Sequence, residues 1–150
     1  MSVLSTVNRL FLAFIQTDNQ IGIIIPTAAA PITLTGGKAY AFGAYGEFSA
    51  SLAAQTWIVG VYATPLNTAV DAYQIEAASG AAAAEVVFDR AVIERVDVTA
   101  VGTLASYEIP LLARRRLAAT TRLAGRVANA AAGAANTVTA KMRGLTSVGL

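Results

Sequence analysis

Near its C-terminal end the chain alternates polar and apolar side chains with a period of two. Between Arg122 and Val127, and again between Thr137 and Arg143, Leu123, Val127, Val138 and Met142 share one face, while Arg122, Arg126, Thr137, Thr139, Lys141 and Arg143 share the other. That alternation predicts half-buried β-strands, which need a second set of strands to cover their apolar side. The preceding residues offer one. Ile21 to Ile25 reads as an apolar strand ended by Pro26, and Pro31 to Thr35 as another, ended by Gly36-Gly37. From Ala39 to Ala50, Tyr40, Phe42 and Phe48 share a parity opposite to Tyr45 and Glu47, which predicts a strand with one packed face. In Thr56 to Ala63, Trp57, Val59 and Val61 alternate with Ile58 and Tyr62; an apolar pattern on both faces suits a central or interface strand, and Trp57 is assigned to the core. Tyr73, Ile75 and Ala77 alternate with Gln74 and Glu76, then Ala78 to Ala84 forms a small-residue loop. Glu85 to Val98 supplies one or two strands with a bend at Asp89-Arg90, and Ser106 to Ile109 is a short strand closed by Pro110.

Strands recurring every eight to twelve residues, with no helices between them, predict an all-β fold: an antiparallel β-sandwich, jelly-roll-like, over residues 21–150. The last two strands admit two arrangements. As a hairpin they would pair Val127 with Val138 and Leu123 with Met142, and set Arg122 against Arg143, an unfavourable like-charge pair. As members of facing sheets joined by the crossover Asn129 to Asn136 they would avoid that clash. Residues 1–20 stand apart. Val3, Leu4, Val7, Leu10, Phe11, Phe14 and Ile15 recur at spacings of three and four, so this segment is an amphipathic helix or an arm. It is too apolar to stay free in water, and Phe11 and Phe14 are expected to contact another chain.

Charge divides the chain further. Up to Ile109 there are nine acids against Arg9, Lys38, Arg90 and Arg95; beyond it stand Arg114, Arg115, Arg116, Arg122, Arg126, Lys141 and Arg143 without a single acid. This basic end is a solvated strand face, a contact for an acidic protein, or a nucleic-acid surface. The last fits least, since no aromatic side chain follows Ile109 to stack on a base. Arg122, Arg126, Lys141 and Arg143 are the candidate partner-binding residues; their counter-ions are Glu76, Glu94 or Asp97, or an external acidic surface.

Candidate chemistry is sparse. With no histidine and no cysteine, serine–histidine and cysteine–histidine catalysis, disulfides and thiolate zinc sites are excluded. Asp71 with Glu76, and Glu94 with Asp97, are separated by odd numbers of residues and point to opposite faces of a strand, so neither makes an acid/base pair. Asp89, Glu94 and Asp97 make an awkward calcium set for the same reason. Gly36-Gly37-Lys38 lacks the first glycine and the hydroxyl residue of a phosphate loop and reads as a turn. No enzymatic activity, cofactor or metal is expected. At 55% hydrophobic the chain raises the question of a membrane, but the best window, Phe48 to Val70, is interrupted by Ser49, Ser51, Gln55, Thr56, Thr64, Pro65, Asn67 and Thr68, and residues 1–15 make a poor secretory signal. An intracellular or particle-associated protein with no membrane contact is expected.

Three stretches taken together, Thr56 to Tyr62, Ala72 to Glu85 and Arg116 to Val127, resemble the small β-sandwich structural proteins of tailed-bacteriophage heads, of the decoration or cement type. In these a Tyr-x-Ile/Val-Glu strand runs into a Gly/Ala loop, here Tyr73 to Glu76 followed by Gly80 to Ala84, and a late turn leads into an Arg-hydrophobic-Ala-x-Arg-Val strand, here Arg122 to Val127. Ala82 to Ala84 replace glycines, and Ala118-Ala119-Thr120 stands where a Pro-Ala-Gly turn is common. The resemblance implies a non-enzymatic virion protein, assembled in the host cytoplasm as a homotrimer, that decorates and stabilises the capsid by binding the major capsid protein on the outside of an icosahedral lattice. The alternative is a carbohydrate- or receptor-binding module of a phage fibre or tail, with Tyr40, Tyr45, Tyr62, Tyr73 and Tyr107 as candidate groove residues.

Overall fold

The structure, a computed structural model, describes residues 20–26, 30–65, 71–95, 107–131 and 136–147. The expected helix or arm over residues 1–20, with Phe11 and Phe14, lies outside them apart from Gln20. The described residues form ten strands: β1 (Gln20–Ile25), β2 (Ile32–Thr35), β3 (Gly46–Ser49), β4 (Thr56–Pro65), β5 (Asp71–Ser79), β6 (Val86–Arg95), β7 (Tyr107–Pro110), β8 (Arg116–Leu117), β9 (Leu123–Asn129) and β10 (Thr137–Ser147). One sheet runs β1-β10-β4-β7, with β2 also on β10 and β8 also on β4; the other runs β3-β9-β5-β6. Every pairing between these strands is antiparallel. The two sheets pack face to face through a shared apolar core, which makes the fold an antiparallel β-sandwich.

Its connections are jelly-roll-like. β5 and β6 form a hairpin, whereas β2 to β3, β3 to β4, β4 to β5, β6 to β7, β8 to β9 and β9 to β10 each change sheet. The last two strands are therefore in facing sheets, and Arg122 is not opposed to Arg143. Their alternation does its expected work: Leu123, Val127, Val138 and Met142 are all fully buried, alongside Tyr73 and Ile75 of β5 and Ile58 and Val61 of β4. Interdigitating side chains from two sheets, rather than any cross-link, hold such a sandwich together.

Three sequence expectations are corrected. Trp57 is not in the core but 36% exposed. The pairing of β10 with β4 slips between Arg143 and Gly144, so that Arg143 faces Gly60 and Gly144 faces Ile58, leaving Val59 as the extra residue of a bulge. A bulge reverses the phase of alternation, and the inward set becomes Ile58, Val61 and Ala63. Likewise residues 39–50 are not one strand. Ala39 and Tyr40 have φ of 51° and 65°, a left-handed conformation that ends extended chain, and the turn is closed by Ala41 N donating to Lys38 O and Gly37 N to Ala41 O. Only Phe48 of the three aromatics is core; Phe42 is half-buried and Tyr40 is 74% exposed. The segment still follows β9, since Tyr40 N donates to Asn129 O and Gly43 N to Val127 O. At Asp89-Arg90 there is no bend: β6 is continuous, and its irregularity is a register slip that leaves Phe88 unmatched between Asp89 and Val87.

Candidate partner-binding faces

The outer face of the β3-β9-β5-β6 sheet carries a closed charge ladder. Glu76 on β5 lies in register with Arg126 of β9 on one side and Arg90 of β6 on the other. Its carboxylate accepts from Arg126 Nε at 2.7 Å and from Arg90 Nε at 2.8 Å. Although Glu76 points away from the core, it is 1% exposed, because the 36–45 loop brings two rings over the ladder: the Arg126 guanidinium carbon sits 4.6 Å from the Phe42 centroid and 4.5 Å from that of Tyr45. An Arg stacked on aromatic faces loses little by desolvation and keeps its fork for the carboxylate.

At the start of β9, Arg122 bridges two acids brought from different elements. Its Nε donates to Glu47 Oε2 of β3 at 2.8 Å and its Nη1 to Glu85 Oε1 at 2.8 Å, with a further bond to Gly80 O at 3.3 Å. Hydrogen bonding to Glu47, then to Glu85, holds the Arg122 guanidinium above its ordinary pKa. Desolvation pushes the Glu85 carboxyl up, but its own backbone N–H, the bond to and charge of Arg122, and the Ala83 backbone outweigh this and bring it below the usual carboxylate range.

The outer face of the other sheet is open among the described residues, with Trp57, Glu108 and Arg143 exposed on it. Arg143 on β10 pairs with Glu108 of β7, chiefly through a hydrogen bond that raises the guanidinium's pKa. Lys141 lies in register with Tyr62, and Leu145 with Trp57. Arg116 places its guanidinium carbon 5.8 Å from the Trp57 centroid and donates to Gln55. Val59, Glu108, Pro110, Arg114, Arg143 and Leu145 line a shallow cleft of about 420 Å³ on this face.

The four bases expected to meet a partner are thus divided between faces and environments. Arg122 and Arg126 are on the closed face and Lys141 and Arg143 on the open one; Arg122, Arg126 and Arg143 are each bound to acids of the chain, and Lys141 alone takes part in no ion pair among the described residues. Of the acids foreseen as counter-ions, Glu76 serves, whereas Glu47, Glu85 and Glu108 supply the other contacts; the side chains of Glu94 and Asp97 are outside the described residues. The candidate tyrosines do not converge: Tyr73 is core, Tyr45 packs on Arg126, Tyr62 is half-buried on the opposite sheet, and Tyr40 is exposed. The Tyr107 side chain is outside the described residues. Arg114 and Arg115, counted in the basic end but not among the candidate contacts, are exposed on the β7–β8 connection with Leu112; three consecutive arginines after two leucines were the available signal.

Among the described residues no group of three or more acids could hold a metal ion, and no helix is long and apolar enough to cross a membrane. No protein-family model, curated protein or solved structure matches the chain.

Proposed function

We propose that the protein is a non-enzymatic virion structural protein that decorates and stabilises a bacteriophage head, binding the major capsid protein on the outer surface of the icosahedral lattice as a homotrimer. One observation carries this reading. Each acid whose side chain is described, Glu47, Glu76, Glu85, Asp89 and Glu108, is bound within the chain, while Lys38, Arg114, Arg115, Arg116 and Lys141 take part in no ion pair among the described residues. The described surface therefore offers positive charge to a partner, and electrostatic complementarity selects an acidic one. The resemblance to head decoration proteins carried by Thr56 to Tyr62, Ala72 to Glu85 and Arg116 to Val127 gives that partner its class. A rigid β-sandwich with small-residue loops suits a protein whose task is to bind and brace.

The test is copurification. The protein should remain with assembled particles at a fixed ratio to the major shell protein, and light scattering should return three times the chain mass. Particles that lack it, or a monodisperse monomer at micromolar concentration, would remove the decoration reading or the trimer respectively.

A further inference from the structure

We infer that the β7–β8 connection, residues 111–115, is the element that docks on the partner, inserting Leu112 into a shallow apolar depression ringed by carboxylates of a protein surface. This rests on the proposed capsid role for the partner's identity, but not for its chemistry.

The connection is pinned along its length. Leu111 is 2% exposed and its N–H donates to Val59 O at 2.9 Å; Ile58 N donates to Arg115 O at 2.8 Å; Ala113 N donates to Asp89 Oδ2 at 2.7 Å. Three bonds to β4 and β6 within five residues make it a formed projection. What it projects is otherwise unused: Leu112 is 90% exposed, and Arg114 and Arg115 are exposed and take part in no ion pair among the described residues. Arg114 has a φ of 40°, a left-handed conformation that is unfavourable for a non-glycine residue. Backbone strain of that kind collects at binding sites.

The surroundings extend the same charge. Arg114 shares a cleft with Arg143, and Arg116 lies over the half-exposed Trp57. The nearest described acids are unavailable, because Glu108 is held by Arg143 and Asp89 by the N–H groups of Arg90 and Ala113. An exposed leucine followed directly by arginines fits an interface of apolar centre and polar rim, in which arginine is enriched. A single leucine is a small insertion for a bilayer, and one half-exposed indole a poor platform for a nucleic-acid strand, so an acidic protein surface is the match.

Full-length protein is titrated against three probes: head shells freed of the protein, immobilised poly-L-glutamate, and phosphatidylcholine vesicles carrying phosphatidylserine. Arg114→Glu with Arg115→Glu should weaken binding to shells and to poly-L-glutamate by about tenfold at low salt; Leu112→Ser should weaken shell binding and leave poly-L-glutamate binding unchanged. If the double reversal lowers the thermal midpoint, the neutral pair Arg114→Gln and Arg115→Gln replaces it and should give a smaller loss on both probes. Wild-type binding to shells that the double variant retains in full overturns the inference. So does tighter binding to the vesicles than to poly-L-glutamate, which reassigns the projection to a membrane. Loop-dependent binding to poly-L-glutamate with none to shells overturns the capsid role and leaves the docking element standing.

Discussion

Glu76 and Arg126 face each other across the β5–β9 ladder with Nε 2.7 Å from Oε2, and the carboxylate is fully buried on the side of the sheet that faces away from the core. The pair needs a cover to exist, and Phe42, Tyr45 and Arg90 provide it. Removing one partner of a buried ion pair costs about 3–5 kcal/mol, because the other is left uncompensated. Arg126 is 30% exposed and recovers part of that from water, so Glu76→Ala is expected to cost about 3 kcal/mol, a fall of about 10 °C in a domain of this size. Arg90, 60% exposed, should cost under about 1 kcal/mol when replaced by alanine. Thermal unfolding followed by circular dichroism compares the two; equal losses would show the ladder to be ordinary surface pairing.

The cover is itself positioned by a glycine. A Cβ on Gly43 would lie 1.7 Å from the Thr35 carbonyl oxygen, a backbone atom that cannot step aside, and Gly43 N is bonded to Val127 O at 3.0 Å. Gly43→Ala should lift the 36–45 segment off β9, loosen both rings over Arg126 and destabilise by about 1–3 kcal/mol. Gly22, with nothing within 4 Å of an added Cβ, is the control: Gly22→Ala should move stability by less than about 0.5 kcal/mol. A neutral Gly43→Ala would mean that the segment does not make this close approach.

Glu85 gives the fold a pH dependence. Its pKa is depressed in the folded chain, so its contribution is fully present above the unfolded value of about 4.3 and is lost as pH falls through the lower folded value. Glu85→Gln removes it at every pH. The thermal midpoints of wild type and Glu85→Gln should therefore differ between pH 5 and 8, and converge as pH is lowered below about 4. The absence of a gap between pH 5 and 8 would show that Arg122 is satisfied by Glu47 and Gly80 without it, and a gap that stays constant down to acid pH would show that the ionised carboxylate is not its source.

The architecture was legible in the sequence wherever alternation ran undisturbed. Leu123, Val127, Val138 and Met142 are in the core as their parity requires, and so are Tyr73, Ile75 and Ala77. It misled at Trp57, because a bulge opposite Gly144 changes which parity faces inward, and at Tyr40, because two left-handed residues turn the chain there. Neither device has a residue-level signature as plain as a period of two. The charge network was less legible still. The basic end visibly lacked local acids, but which acids answer it depends on strand order: Glu47 meets Arg122 because β3 lies beside β9, and Glu76 meets Arg126 because β5 lies on the other side. Arg114 and Arg115 stand apart from Arg122, Arg126 and Arg143 only once those three are seen to be paired with acids of the chain.

Arg126 and Lys141 follow the same outward parity in the sequence, and a shared role as partner contacts predicts a shared response to charge reversal: weaker binding with an unchanged midpoint. Their environments predict opposite behaviour. Arg126→Glu would set a second carboxylate against buried Glu76 and remove the cation between Phe42 and Tyr45; like charges in contact there should destabilise by more than about 3 kcal/mol. Lys141 is half-buried beside Tyr62 and takes part in no ion pair among the described residues, so Lys141→Glu should change stability by less than about 1 kcal/mol while weakening attachment to particles in a salt-dependent way. The two variants, made separately, are compared by thermal unfolding and by sedimentation with particles at low and physiological salt. Should Arg126→Glu keep the wild-type midpoint, the closed face is not closed, and Arg126 returns to the set of bases available to a partner.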